Sequence, residues 1–84
     1  MAHEIRFSKT ARRDVQRLTT KLKRKLREIL VEHVARDPHS GKRLVGDLAG
    51  LYSVRLTFKD RIVYTIDEKH RIVYILRAQT HCGD

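Results

Sequence analysis

The chain has 84 residues and carries 19 Lys and Arg against 10 Asp and Glu, a formal net charge of +9. A chain of that length makes one domain, residues 1–84, whose core is too small to enclose a deep cofactor cavity, and its cationic excess favours a polyanionic partner, nucleic acid first and an acidic protein second. The lone Cys82 excludes a disulfide framework, no stretch reaches the roughly 18 apolar residues of a membrane span, and the opening MAHEIRF lacks the apolar core of a signal peptide, so the expected setting is the cytoplasm.

His3 to Phe7 alternates, with Ile5 and Phe7 on one side, and reads as a short first strand. Ser8 is a good N-cap, and Ala11, Val15 and Leu18 follow at helical spacing, which predicts an amphipathic helix from about Lys9 to Leu18. Thr19 and Thr20 offer a second cap. Leu22, Leu26, Ile29, Leu30, His33 and Val34 then recur every three or four residues and predict a longer helix ending near Ala35, with His33 as a packing residue. Its outer side carries Lys21, Lys23, Arg24, Lys25 and Arg27, which fits either a solvated face or contacts with nucleic-acid phosphates. Arg36 to Gly50 is punctuated by Asp37, Pro38, Gly41, Gly46 and Gly50 and reads as a loop bearing Lys42 and Arg43. Leu51 to Arg77 alternates apolar with polar residues in three β-type stretches, turning near Lys59–Asp60 and again at 67–70. The expected fold is α+β: an N-terminal strand and a helical hairpin packed on a small antiparallel sheet, in the order β-α-α-β-β-β.

The alternation also sorts the side chains. Tyr52, Val54, Leu56 and Phe58 share one face of the first stretch, and Ile62, Tyr64 and Ile66 the same face of the second. Arg55 and Arg61 leave by the other face, joined by a short turn, and paired guanidiniums there form a site for phosphate oxygens or a solvated outer surface. If Ile72, Tyr74 and Leu76 face the helices, then Val73, Ile75 and Arg77 join the open face, and three arginines from three strands converge. His81 lies just beyond and can exchange protons near neutral pH. Several fixed cations with one titratable imidazole suit cleavage within RNA, where the 2′-hydroxyl loses a proton and the phosphate gathers charge. If the arginines supply that charge, no metal is needed. A metal site from His81, Cys82 and Asp84 has a poor ligand set. Tyr52, Tyr64 and Tyr74 all fall on the predicted core side, which argues against a base-stacking sheet.

The segment GKRLVGDLAGLYSVRLTFKDRIVYTID and the later YILRAQTH resemble the RelE/ParE superfamily of toxins, nearest its RelE and YoeB branches. The resemblance spans the whole chain, and the RIVY strand from Arg61 to Tyr64 is its most specific part. It implies a RelE-like fold and the toxin of a type II toxin–antitoxin system: a metal-independent endoribonuclease that needs no cofactor, cleaves mRNA in the ribosomal A site and is restrained by a cognate antitoxin. Arg61 is similar to the family's catalytic arginine, Arg55 to a second cation of the site, and His81 to a C-terminal acid or base. Arg77, Lys42, Arg43 and Ser53, with Lys21, Lys23, Arg24 and Lys25, are the expected RNA or phosphate contacts. Three positions depart from the pattern: Lys42 stands where YoeB-type members have a glutamate, Ser53 where RelE-type members often have lysine, and Cys82 where a tyrosine follows the histidine. Two other readings share the composition. One is a ParE-like inhibitor of DNA gyrase, and the other is a non-enzymatic basic module that binds RNA or an acidic partner.

Overall fold

Hydroxyl caps begin both helices of the computed structural model, which describes residues 3–78. Strand β1 (Glu4–Phe7) enters α1 (Lys9–Gln16) through Ser8, whose Oγ accepts from the Ala11 N–H at 3.0 Å. Thr19 does the same for α2 (Thr20–Ile29), accepting from the Leu22 N–H at 3.2 Å. Each cap satisfies an N–H that the helix leaves without a partner. Beyond Ile29 the winding widens into a π-helical stretch, Leu30–Val34. That wider turn keeps Leu30 and Val34 buried but carries His33 out to solvent, so His33 is not the packing residue its spacing predicts.

The connection that follows is held down by Pro38, which is buried and whose carbonyl accepts from the Tyr64 hydroxyl. It contains a two-residue strand, β2 (Lys42–Arg43), and continues to β3 (Leu51–Arg55), β4 (Arg61–Asp67) and β5 (Ile72–Arg77). The sheet runs β1-β5-β4-β3-β2. Its β3–β4 and β4–β5 ladders are antiparallel as expected; β2, in the segment that reads as a loop, adds an antiparallel edge to β3, and β1 adds to β5 in parallel. Parallel neighbours need a long connection, and here the helical hairpin and the other strands lie between the two.

One sheet face is the floor of the core. Tyr52 and Val54 stand opposite Tyr64 and Ile62, Tyr64 and Ile66 opposite Ile75 and Val73, and those two beside Phe7 and Ile5. All pack in one cluster with Ala11, Leu18, Leu26, Leu30 and Val34. Two expectations are corrected. Val73 and Ile75 are fully buried here, so Ile72, Tyr74 and Leu76 take the open face instead. Phe58 is not on the core face: β3 ends at Arg55, residues 56–60 form the turn, and the ring is 83% exposed. Leu56 is the last residue of the alternation to be buried.

Candidate functional site: a cationic row on the open sheet face

Residues directly opposite across a ladder project to the same face. Lys42 opposes Ser53, Ser53 opposes Val63 and Val63 opposes Arg77, so a single row crosses β2, β3, β4 and β5 on the open side. The next row is Arg55 opposite Arg61. At about 4.8 Å between strands and about 3.4 Å per residue along them, Lys42, Arg55, Arg61 and Arg77 share a patch of about 14 by 7 Å. Its short side is within the Debye length of about 8 Å at physiological ionic strength and its long side exceeds it, so neighbouring cations such as Arg55 and Arg61 reinforce one another while Lys42 and Arg77 at the two ends are largely screened from each other. Among the described residues Lys42, Arg55 and Arg61 enter no ion pair, and all three are exposed.

Arg77 reaches this row through an irregularity. With Ile75 opposite Tyr64, regular pairing would set Arg77 opposite Ile62, on the core side. The register shifts between Val63 and Tyr64, leaving Leu76 as the extra residue and setting Arg77 opposite Val63. A bulge that re-aims a side chain in this way is a recurrent feature of functional edges.

A buried carboxylate then fixes the arginine. Asp14, on α1, accepts from Arg77 Nε at 2.8 Å and from the Ala78 N–H at 3.1 Å, while Arg77 remains half exposed. The helix is aligned for this at its start, because the Ser8 N–H donates to the Ile75 carbonyl and Ser8 Oγ donates to that of Leu76. Sequence reasoning passed over Asp14. Its signal was available: Asp14 lies three residues after Ala11 and four before Leu18, on the apolar stripe of a strongly basic helix.

At the other end of the sheet the acids find hydrogen-bond partners within the chain. Glu68 accepts from His3 Nε2 at 2.9 Å and from His39 Nε2 at 2.8 Å. The other ring nitrogen of His39, Nδ1, is hydrogen-bonded to the Tyr52 hydroxyl at 3.1 Å. Tyr52 stacks on Tyr64 at 5.6 Å between centroids. The hydrogen bonds from His39, then His3, hold the Glu68 carboxyl below its ordinary range, and the His70 hydrogen bond does the same for Asp67. Burial pushes the Tyr64 phenol up to about 12. On β1, Arg6 is tied to Glu4, which raises the guanidinium further.

The remaining sequence-predicted residues divide. Ser53 sits in the row but is buried. Arg43 opposes Tyr52 and so belongs to the helix side of the sheet edge. Lys21, Lys23, Arg24 and Lys25 are exposed on α2, across the sheet from the cationic row, so the structure does not join them to it. Lys23 and Arg27 instead rim an apolar groove of about 260 Å³ lined by Ile5, Phe7, Leu26 and Val31. His81, Cys82 and Asp84 lie outside the described residues. Among the described residues no group of three or more His, Cys, Asp or Glu is placed to hold a metal ion, and no helix is long and apolar enough to cross a membrane.

Known proteins of this shape carry related sequences. Toxin RelG of Mycobacterium tuberculosis is 38% identical over 80 residues, covering 93% of this chain and 90% of its own. Toxin RelE of the same organism is 37% identical over 75 residues, covering 88% and 76%. The crystal structure of the RelBE2 toxin–antitoxin complex from M. tuberculosis contains a chain that superposes with a TM-score of 0.85 at 35% identity, covering 94% of this chain and 98% of that one. A family described as the ParE-like toxin of type II bacterial toxin–antitoxin systems matches residues 5–82. With that match across nearly its whole length, the chain belongs to the ParE-like family and is the toxin of a type II toxin–antitoxin system.

Proposed function

We propose that this toxin is a ribosome-dependent endoribonuclease that cuts mRNA in the A site by attack of a 2′-hydroxyl on the adjacent phosphate. The observation that carries the reading is the row of Lys42, Arg55, Arg61 and Arg77, a patch of cations in which Arg55 and Arg61 lie directly opposite each other and enter no ion pair among the described residues. During attack the phosphate acquires charge and the 5′-oxygen leaves. Fixed guanidiniums stabilise both changes more than they stabilise the ground state, which is the condition for rate enhancement. Arg61 and Arg55 hold the scissile phosphate, Arg77 and Lys42 flank it, and His81 transfers the proton.

The ribosome supplies what the patch lacks, a means of placing one phosphodiester of a long message against it. The partner that restrains the toxin is a cognate antitoxin, as the toxin–antitoxin complex of the similar RelBE2 pair suggests, and a net charge of +9 calls for an acidic segment in it. Lys23 and Arg27 beside an apolar groove would suit such a segment when it is amphipathic. The setting is the cytoplasm, where mRNA and ribosomes meet.

Primer extension on a reporter mRNA, with and without ribosomes, tests the reading. Cuts that appear only with ribosomes support it. Growth arrest with intact mRNA and DNA damage would replace it with gyrase inhibition.

A further inference from the structure

We propose that Phe58 forms a nucleobase-stacking subsite at the tip of the β3–β4 hairpin, taking an unpaired RNA base next to the phosphate held by Arg55 and Arg61. The inference rests on the RNA-cleaving reading above. It starts from an anomaly: turn tips favour Gly, Asn, Asp and Ser, yet this one presents Phe58 with its ring 83% exposed.

The ring is held out by a stiff turn. Thr57 Oγ1 accepts from the Lys59 N–H at 3.1 Å and the Asp60 N–H at 2.9 Å, and donates to Asp60 Oδ2 at 3.2 Å. The Leu56 and Thr57 N–H groups both close onto the Asp60 carbonyl. Little ordering remains to be done when a ligand arrives, which favours binding. Lys59 Nζ lies 5.6 Å from the ring centroid, adding a cation to the same feature.

Location identifies the ligand. Phe58 is three residues from Arg55 and three from Arg61, so the chain keeps it within about 10 Å of each Cα. A base is attached through its own sugar to the phosphate that those arginines would hold. Proteins that grip single strands combine these two parts, cations along the backbone and an aromatic face under a base. A protein-binding hot spot looks different, with its aromatic anchor inside an apolar, desolvated centre. Here Leu56 is buried in the core, and the other neighbours along the hairpin are Arg55, Thr57, Lys59, Asp60 and Arg61.

The chain has no tryptophan, so Phe58→Trp in the full-length toxin creates a unique indole at the subsite, excited selectively beyond the absorption of the three tyrosines. A short 2′-O-methyl oligoadenylate, which cannot be cut by 2′-hydroxyl attack, should quench the indole on binding. Inorganic polyphosphate, which offers charge alone, should bind without comparable quenching. Phe58→Ala and Phe58→Leu should both weaken oligoadenylate binding by about tenfold, and Phe58→Trp should retain it. Bound oligoadenylate that leaves the indole unquenched overturns the proposal, as does Phe58→Leu binding at wild-type affinity. Loss of antitoxin affinity in Phe58→Ala with RNA affinity intact reassigns the ring to a protein contact. Primer extension with the wild-type toxin judges the nuclease reading separately. The absence of ribosome-dependent cuts there defeats that reading whatever the indole reports, whereas unchanged cutting by Arg61→Ala removes only the role of Arg61.

Discussion

The two hairpins of β4 close opposite ends of one sheet, and they treat charge in opposite ways. At the β4–β5 turn the acids are matched from within: Asp67 holds His70 at 2.9 Å, and Glu68 bridges His3 and His39. At the β3–β4 turn Arg55 stands directly across from Arg61, with no ion pair to another described residue for either. Like charges placed opposite each other on adjacent strands destabilise the pair. One end is therefore settled by its own sequence, while the other carries a local conflict that an incoming anion would relieve. Breaks in local consistency of this kind concentrate at functional sites.

The sharpest way to break the contrast is Arg61→Ala. Losing a fixed charge donor from the transition state should lower ribosome-dependent cleavage by roughly 10²- to 10³-fold. The same change relieves the Arg55–Arg61 repulsion, so the thermal midpoint should stay level or rise slightly. Cleavage rates and melting curves on one preparation test both halves. A large fall in stability would show that Arg61 serves the fold and would remove the contrast.

Asp14→Ala comes next, because Asp14 links the settled body of the protein to the open row. Removing this buried carboxylate strands the Ala78 N–H and the Nε of a half-exposed guanidinium, at a cost of about 2–3 kcal/mol in urea unfolding. In an Arg77→Ala background the penalty should shrink, since the pair has already been broken. Equal penalties in both backgrounds would show that Asp14 acts on the Ala78 amide alone.

The sequence made much of this legible, and its failures have physical causes. Ser8 and Thr19 announced both helix starts because capping is local. The facing of Arg55 and Arg61 followed from period two along β3 and β4. Period two also holds along β5 as far as Ile75, but the pattern alone does not say which of its two faces meets the core. The bulge at Leu76 then delivers Arg77 to the row, and nothing local in IVYILR reports a bulge. Phe58 continues the alternation on paper, yet Thr57 ends the strand by turning its hydroxyl onto the backbone. The Asp14–Arg77 and His3–Glu68 contacts join residues more than 60 positions apart, and such contacts exist only once the sheet is assembled.

Gly41, beside Lys42 of the row, sets a packing constraint beneath it. A Cβ there would lie 2.2 Å from the Tyr64 hydroxyl and 3.1 Å from the Ser53 carbonyl oxygen. Tyr64 is fully buried and donates to the Pro38 carbonyl, so it cannot simply swing aside. Gly41→Ala should cost about 1–3 kcal/mol, the usual range for overpacking. Adding Tyr64→Phe removes the clashing oxygen and should recover part of that loss, leaving the Pro38 contact as a residual cost of about 1 kcal/mol. Additive penalties in the double variant would mean that the backbone near Ser53, rather than the phenol, sets the constraint.

Glu68 offers the smallest effect and the cleanest sign. Its carboxyl is held below the ordinary 4.5 because His39, then His3, donate to the charged form. The folded state therefore binds the proton less readily than the unfolded chain does. The stability this supplies is complete above the unfolded value and is lost as pH falls through the lower folded value. Melting curves taken from pH 6 downward should show the wild-type midpoint falling in acid, and Glu68→Gln should flatten that limb while lowering the midpoint slightly near neutrality. Cleavage at neutral pH should be unchanged in Glu68→Gln, since the carboxylate lies at the end of β4 remote from Arg61. A variant that kept the full acid dependence would show that the His3 and His39 contacts do not clamp this end of the sheet. The difference between the two hairpins would then lie in the arginines alone.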